Sequence, residues 1–293
     1  MTATNNLKVA FIGTGIMGAP IAGHIIDAGY DVTVYNRTKE KADGLIARGA
    51  TWADGPAAAA ADADVIFTMV GYPSDVEDVY LSTDGLIRVA KRGAWLIDLT
   101  TSSPTLARDI HDAAEVEDKH AFDCPVTGGE QGAIDGTLTL IVGAKEEDVA
   151  PVLPILESFS SKIFYFDAAG AGQTAKLCNQ VSLAGCMVGM ADALALAEQG
   201  GLDVSRMLEM VGSGMGGSRA LALRPSRGTT SPASSSSTSA RTLASPLSSP
   251  RTSTLRFLAS RLPSRSTTCS IRSVAAVLAP RRSRFSTPNR LTP

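Results

Sequence analysis

The chain has 293 residues, 44% of them hydrophobic, and a formal net charge of −2. This length allows one large domain or two ordinary ones, and the average composition is that of a soluble protein. No stretch approaches the ~18 consecutive apolar residues of a membrane span, and the N-terminus lacks the pattern of a signal peptide. We therefore expect a cytoplasmic protein without a membrane partner.

The residues that most often bind metals are few and scattered. The cysteines show no CxxC pairing, and no histidine stands at a zinc-site spacing from them. The sequence predicts no metal site and reduced thiols. These residues are Cys124, Cys178, Cys186, Cys269, His24, His111 and His120.

A glycine-rich turn follows the first apolar segment. A predicted strand over residues 8–12 leads into "GTGIMG", then a helix to about residue 28 and a second strand over about 31–36. This strand–turn–helix–strand setting is typical of dinucleotide binding, in which phosphates lie at the helix N-terminus. Gly13 allows the tight turn, Gly15 the approach of a pyrophosphate, and Gly18 close helix packing. The intervening Ile16 and Met17 belong to the same predicted cofactor loop.

The end of the second predicted strand bears on the choice between NAD and NADP. NAD-binding proteins usually place an acidic residue there, whereas an arginine favours the 2′-phosphate of NADP. This chain has Asn36, Arg37 and Thr38 and no acid. We expect NADP, with NAD as the alternative if Arg37 is only a surface residue.

Four further apolar segments alternate with helical stretches, which predicts a parallel, doubly wound α/β sheet. Ligands bind such sheets beyond the carboxyl ends of the strands. We expect the loops at those ends, residues 70–75, 100–104 and 125–133, to converge on one crevice. The predicted strands lie within residues 63–70, 94–101, 119–126 and 136–143.

A long stretch free of proline runs from Gly170 to Gly200 and is rich in Ala, Leu and Met. Its spacing predicts one mostly buried helix of about 28 residues. Lys176, Asn179 and Gln180 stand at i, i+3 and i+4, so they share one face near its start. Spacing alone leaves two interpretations open: a chemical site, or a polar stripe that faces solvent.

Four motifs occur in order along the first part of the chain: "FIGTGIMGAPIAGHI", "DLTTSSP", "DCPVTGGEQGAIDGTL" and "GAGQTAKLCNQ". On these motifs, residues 1 to about 217 resemble the β-hydroxyacid dehydrogenase family, which includes 3-hydroxyisobutyrate dehydrogenase and 2-hydroxy-3-oxopropionate (tartronate semialdehyde) reductase. The resemblance implies a 6-phosphogluconate dehydrogenase-like oxidoreductase with a Rossmann domain followed by an all-helical domain. It also implies a small-molecule substrate and a homo-oligomer.

The resemblance also implies a role for individual residues. Lys176 is the general acid that protonates a substrate carbonyl, and Asn179 orients substrate and lysine. The cofactor loops include Val70 and Gly71, and Thr101 lies near the nicotinamide. The residues implied to bind the substrate carboxylate are Thr127, Gly128 and Gly129. Thr127 stands where the family usually has Ser, and Gln180 replaces a second Asn.

The composition changes abruptly near residue 218. Residues 1–217 hold all 29 acidic residues against 14 Lys and Arg, a net charge of −15. Residues 218–293 hold 13 Arg, 19 Ser and no acidic residue, a net charge of +13. We therefore predict a Rossmann domain over 1–165, the start of a helical substrate and dimerisation domain over 166–217, and a disordered Arg/Ser-rich tail over 218–293.

The tail has a specific hypothetical origin. Family members commonly continue with a segment similar to FFVKHFRKDLGIA. Codons for that peptide, read one base late, translate as SSSSTSARTLASP, which is residues 234–246 here. We therefore interpret the tail as an out-of-frame translation. In the family, the replaced helices close the pocket and form much of the subunit interface, so assembly of this chain stays open. Without them we expect the long helix to expose apolar surface and the chain to have weak stability and little activity.

These patterns leave three classes of function. The first is an NADP-dependent dehydrogenase that interconverts a short β-hydroxyacid and its semialdehyde, impaired here by the tail. The second is a catalytically inactive fragment that binds NADP. The third, which the near absence of aromatic residues in the tail disfavours, is a nucleic-acid-binding protein that uses the tail's positive charge.

Overall fold

The structure is a computed structural model and describes residues 7–214. The chain divides into two compact units, Met1–Val181 and Ser182–Pro293. The predicted tail over 218–293, and with it the out-of-frame segment, lies outside the described residues. The predicted domain boundary at 165/166 stays a prediction.

The described part contains nine strands and eleven α-helices, with a 3₁₀ turn at Lys39–Ala42. The strands are β1 Lys8–Ile12, β2 Asp31–Tyr35, β3 Thr51–Trp52, β4 Val65–Thr68, β5 Trp95–Asp98, β6 His120–Asp123, β7 Val126–Thr127, β8 Leu138–Val142 and β9 Ser160–Tyr165. The helices are α1 Gly18–Asp27, α2 Asp43–Ile46, α3 Pro56–Ala60, α4 Pro73–Leu81, α5 Leu86–Val89, α6 Pro104–Val116, α7 Gly129–Ile134, α8 Glu146–Val149, α9 Leu153–Glu157, α10 Ala171–Gln199 and α11 Val204–Ser213.

Six strands form one parallel sheet in the order β3-β2-β1-β4-β5-β6. This order confirms the predicted Rossmann-like, doubly wound fold. The direction of winding reverses between β1 and β4, and ligands of such sheets bind at that switch point, beyond the carboxyl ends of the strands. The glycine-rich turn follows β1 directly, so the fold places it at the switch point.

The first strand shows why the sheet needs helices on both faces. Val9 and Phe11 lie in one apolar cluster, which includes α1, while Ala10 and Ile12 lie in a second cluster, which includes α3 to α6. All four side chains are buried. Because successive side chains of a strand point to opposite faces, both faces of this strand are covered, as parallel sheets require.

One strand prediction is wrong in its sheet. The segment 136–143 does contain a strand, β8, but β8 belongs to a separate three-stranded sheet with β7 and β9. It runs antiparallel to β7 and parallel to β9. The physical reason lies just after β6, where Pro125 cannot donate a ladder hydrogen bond and the chain starts a new strand at Val126. A period-two pattern identifies a strand but not its partner.

The long helix is present and exposes apolar surface, as expected without the replaced helices, so the mostly buried helix that its spacing alone predicts is wrong. α10 has 29 residues, close to the prediction, yet only 11% of its most apolar 18-residue window is buried. Val181 and Leu196 are 59% and 72% exposed. In the second unit, α11 is the only other helix among the described residues, so little described chain is available to cover the apolar side chains. By length and composition alone α10 also meets the criterion for a membrane span, which core helices of soluble proteins meet as well.

Gly18 is the position at which the fold tolerates a side chain least. A Cβ added there would overlap the carbonyl oxygen of Gly13 and lie 3.0 Å from a ring carbon of Phe11. Both neighbours are fixed, one as backbone and one in the core. We expect Gly18→Ala to lower the free energy of unfolding by about 2–3 kcal/mol, measured by urea denaturation.

The matched control is Gly44→Ala in α2, where an added Cβ meets nothing within 4 Å. Alanine is the better helix former, so this variant should be as stable as the parent or up to about 1 kcal/mol more stable. Equal stability of the two variants would contradict the close-packing role of Gly18.

Candidate active site

The glycine-rich loop is held firmly at the end of β1. The Gly13 N–H donates to the Tyr35 carbonyl at 2.8 Å, and Gly13 has φ +102°. A Cβ at Gly13 would overlap the carbonyl of Met69, which follows β4. The turn therefore has to be glycine, both for its left-handed backbone and for its contact with the neighbouring strand.

The surroundings of this loop fit a dinucleotide. A Cβ added at Gly15 would meet nothing within 4 Å, so the loop presents bare backbone to open space. The N-terminus of α1 at Met17 has no side-chain cap, and Ile16 is 59% exposed. The buried Thr14 hydroxyl has no hydrogen-bond partner within the described chain. An uncapped helix start with an unpaired hydroxyl beside it is suited to a phosphate group.

Of the residues after β2, Asn36 makes hydrogen bonds within the protein and Arg37 carries an exposed charge. The Asn36 Oδ1 accepts from the Thr14 N–H at 3.2 Å, and the Asn36 Nδ2 donates to the Thr38 carbonyl at 2.8 Å. The Arg37 side chain is 76% exposed, with its Nη1 3.4 Å from Asp75 Oδ1. Asn36 thus ties β2 to the glycine-rich loop, while Arg37 is exposed and pairs with Asp75 at the start of α4.

The loops after β4 and β5 are joined to each other. The Val70 N–H donates to the Thr100 hydroxyl at 3.0 Å. Gly71 follows in the same loop, and Thr101 is half-buried in the other. The convergence that the sequence predicts for these two loops is therefore present at the switch-point edge.

Beneath these loops lies a buried polar chain that starts at Asp98. Its Oδ1 accepts from the Thr68 hydroxyl at 2.8 Å and from the Thr100 N–H at 3.0 Å. The Thr68 hydroxyl is also 2.9 Å from that of Tyr80. Burial raises the pKa of Asp98 to about 7. The network fixes the β5 loop, and sequence reasoning quoted its motif without singling out Asp98.

The loop predicted to bind substrate lies between β7 and α7. Gly128 and Gly129 have φ +138° and +68°, and α7 begins at Gly129. The other end of α7 is tied to α1, because the His24 Nε2 lies 3.1 and 3.0 Å from the carbonyls of Ala133 and Ile134. In the described chain no hydrogen bond or ion pair joins Thr127, Gly128 or Gly129 to Lys176, so their shared role stays a prediction.

Lys176 is buried near the start of α10. It is 7% exposed, and Gln180 is 6% exposed. Asn179 is half-buried, with its Nδ2 donating to Gln180 Oε1 at 3.3 Å. The interpretation of this face as a solvent-facing polar stripe is therefore wrong for Lys176 and Gln180.

Burial alone lowers the pKa of Lys176 to about 8. Within residues 7–214, no acceptor takes a hydrogen bond from its amino group and no carboxylate pairs with it. A buried lysine with a near-neutral pKa and a free amino group is suited to proton transfer.

Two residues that sequence reasoning missed hold this helix start. The Asp123 carboxylate accepts from the N–H groups of Gly170 and Gln173 at 2.7 and 2.6 Å. The Gln173 side chain donates to the Thr100 carbonyl at 2.7 Å and accepts from the Ser102 N–H at 2.8 Å. The only sequence signal was an aspartate at the end of a buried strand, two residues before a proline.

Within residues 7–214, no group of three or more His, Cys, Asp or Glu could hold a metal ion. In the same range Cys124, Cys178 and Cys186 are free thiols.

Similarity to known proteins bears on the same residues. Residues 8–167 match the profile of the NAD-binding domain of 6-phosphogluconate dehydrogenase, and residues 170–239 match that of the NAD-binding domain of NADP-dependent 3-hydroxyisobutyrate dehydrogenase. An uncharacterized oxidoreductase of Bacillus subtilis is 46% identical over 213 residues, which is 73% of this chain and 74% of the relative.

Two further similar proteins carry a specific name. The 3-hydroxyisobutyrate dehydrogenase of Pseudomonas aeruginosa is 38% identical over 73% of this chain and 72% of its own length. The Mycobacterium tuberculosis 3-hydroxyisobutyrate dehydrogenase, solved with L-serine, superposes with a TM-score of 0.67 at 35% identity, covering 73% of both chains.

Fold, glycine-rich loop and profile matches together define a nicotinamide-cofactor oxidoreductase of the Rossmann type. More narrowly, the chain belongs to the β-hydroxyacid dehydrogenase family, the NAD(P)-dependent enzymes that include 3-hydroxyisobutyrate dehydrogenase.

The lowered pKa of Lys176 gives stability a specific pH dependence. Between pH about 8 and 10.5 the folded protein loses this proton before the unfolded chain does. Burial of the charge is therefore fully unfavourable below pH 8, and this penalty disappears as the pH rises through that window. We expect Lys176→Met to be about 3 kcal/mol more stable than the parent at pH 7. By pH 10.5 this advantage should shrink to the difference between a methionine and a neutral lysine at the same site.

Urea denaturation of both proteins at matched pH values measures this difference. Lys145→Met, at an exposed lysine, is the control and should show no such trend. A difference between Lys176→Met and the parent that does not change with pH would contradict the burial of a lysine charge.

Proposed function

We propose that this chain is an NADP-dependent reductase of short semialdehydes with a carboxylate, and that Lys176 is its general acid. The substrate pair is glycerate and tartronate semialdehyde, or 3-hydroxyisobutyrate and methylmalonate semialdehyde. The single observation that supports this proposal most is the buried Lys176 amino group, which has no partner among the described residues and a pKa of about 8.

The proposed chemistry follows from that amino group. At pH 7 a lysine with this pKa is mostly protonated, so it holds a proton for the carbonyl oxygen of the substrate. As negative charge develops on that oxygen, the ammonium stabilises it and then transfers the proton. When bound, the nicotinamide supplies the hydride. In the reverse direction the neutral amine accepts the hydroxyl proton.

The substrate carboxylate has a candidate binding site in the loop before α7. Thr127 offers a hydroxyl, and the Gly128 and Gly129 backbone offers N–H donors at a helix start. Asn179 orients substrate and lysine. The motif "GGEQGAIDGTL" favours tartronate semialdehyde, and the L-serine with which the Mycobacterium enzyme was solved is another short β-hydroxyacid with a carboxylate.

The preference for NADP is supported by Arg37 and by the second profile match. Arg37 is exposed beside the glycine-rich loop, no acid stands at the end of β2, and the profile over 170–239 describes an NADP-dependent enzyme. The cytoplasm stays the proposed compartment. The exposed apolar residues of α10 support the further proposal that turnover by this chain is weak.

Lys176→Ala tests the general acid directly. We expect kcat for NADPH oxidation with tartronate, methylmalonate or succinic semialdehyde to fall about 10²- to 10⁴-fold, because the proton donor is lost. The dissociation constant for NADPH, followed by its fluorescence, should change little. Lys145→Ala is the matched control, since that lysine is exposed.

Two results would contradict the proposal. One is a Lys176→Ala variant that keeps most of the parent's kcat. The other is a parent chain that binds NADPH but reduces none of the three substrates, which is the behaviour of an inactive dinucleotide-binding fragment.

Arg37→Ala tests the choice of cofactor. Loss of a charged partner for the 2′-phosphate should raise the dissociation constant for NADPH about 10- to 100-fold and leave that for NADH unchanged. Arg92→Ala, at a similarly exposed arginine beyond the opposite edge of the sheet, should change neither value. Equal losses for both cofactors in Arg37→Ala would refute the 2′-phosphate role.

A further inference from the structure

The first turn of α10 is bound more tightly than a helix start normally is. The first N–H groups of a helix have no partner within the helix and usually turn to solvent or to a local cap. Here the carboxylate of Asp123, from the end of β6 and about 50 residues away in sequence, takes two such groups, those of Gly170 and Gln173. The helix start is therefore fastened directly to the parallel sheet.

We propose that Asp123 and Gln173 are positioning residues that fix the depth and rotation of Lys176 in the fold and so keep its side chain buried. This inference rests on the proposed function, in which Lys176 transfers the proton.

Gln173 determines the rotation of the helix. It lies one turn before Lys176, so the two side chains lie on the same side of the helix and turn together. Both ends of its amide are used, the Nε2 on the Thr100 carbonyl and the Oε1 on the Ser102 N–H. Gln173 is fully buried. Any rotation of the helix would leave two buried backbone groups unpaired, which is unfavourable.

Close packing determines the depth of the helix. A Cβ added at Gly172 would lie 2.5 Å from the Ile141 carbonyl oxygen and 2.8 Å from Asp123 Oδ2. The helix backbone therefore rests directly on β8 and on the Asp123 carboxylate. Depth and rotation are fixed by separate contacts, and Lys176 follows one turn later.

Lys176 has no hydrogen-bond or ion-pair partner within residues 7–214. The Asp123 carboxylate accepts from the Gly170 N–H with one oxygen and from the Gln173 N–H with the other. Burial, not a neighbouring charge, lowers the lysine pKa. If the helix start loosened, water would reach the amino group and this pKa would rise toward that of a surface lysine.

The test measures the titration of Lys176 without requiring turnover. The full-length chain is acetylated with acetic anhydride over a range of pH, and labelling of each lysine is quantified by peptide mass spectrometry. The exposed Lys162 is the internal reference. We expect a midpoint near 8 for Lys176 in the parent and a rise of about one pH unit or more in Gln173→Met.

Gln173→Met keeps the length of the side chain and removes both hydrogen bonds. Gln173→Asn is the milder second variant, since it adds no charge and shortens the amide that reaches the Thr100 carbonyl and the Ser102 N–H, and Asp123→Asn is the third. Both should raise the Lys176 midpoint as well, so the inference stays testable if Gln173→Met does not fold.

The matched control is Lys119→Met. Lys119 is 4% exposed and donates to the Ile87 carbonyl at 2.7 Å, before the start of β6 and so beyond the other edge of the sheet. The Lys119→Met substitution also removes a buried hydrogen bond from a side chain to a backbone carbonyl, but it lies outside α10. The inference is overturned if folded Gln173 and Asp123 variants keep the parent's Lys176 midpoint, or if Lys119→Met raises it equally.

A double-mutant comparison separates positioning from general stability. If Gln173 acts through Lys176, Gln173→Met should lower kcat in the parent by about 10-fold or more and change nothing further in a Lys176→Ala background. Its loss of thermal stability should be similar in both backgrounds. Because labelling needs no activity, a shifted midpoint with an unaffected kcat in Lys176→Ala would support the positioning role and refute the proposed function.

Discussion

The carboxylate of Asp123 joins the end of a buried parallel strand to the first turn of the helix that carries Lys176. A side chain at the end of a strand usually contacts a ligand or a local turn. This one instead replaces the solvent that would satisfy a helix N-terminus, and it does so in the interior. The β5 loop and the start of the helix that carries Lys176 therefore belong to one connected set of hydrogen bonds, which Gln173 completes by contacts to Thr100 and Ser102.

Three ionisable groups near this edge are buried, and each is stabilised differently. Asp123 has backbone donors on both oxygens, and Asp98 has a threonine hydroxyl and one backbone N–H. Lys176 has no hydrogen-bond acceptor within residues 7–214. Burial of a charged group without a partner is unfavourable, so of these three residues Lys176 is the one whose replacement by an apolar residue should stabilise the fold most. The position of this buried lysine without a partner is the physical reason for the proposal that assigns it to chemistry.

Local patterns in the sequence were enough for five of the six strands of the parallel sheet and for the glycine-rich turn, whereas the two-residue strand β3 was not predicted. Gly13 and Gly18 meet steric requirements that no other residue meets. The face that carries Lys176 also followed from helical spacing. Its burial did not, because helical spacing describes one element and burial depends on its neighbours.

The parts that could not be predicted depend on contacts between distant segments. Asp123 and Gln173 act across about 50 and 70 residues of sequence, and no periodicity encodes such pairs. The separate sheet of β7, β8 and β9 was missed because an alternating pattern does not specify which strand lies alongside. The burial of α10 was overestimated for a related reason, since apolar content reports what a helix can bury and not what is present to cover it.

The division of the chain gives these contacts a functional consequence. Every hydrogen bond that holds the glycine-rich loop, the β5 loop and the first turns of α10 lies within Met1–Val181. The exposed apolar side chain of Leu196 belongs to the second unit. Cofactor binding and the placement of Lys176 therefore draw on one unit, whereas enclosure of a substrate in this family draws on helices further along. A chain that keeps the first set of contacts can retain a poised lysine independently of how effectively it turns over substrate.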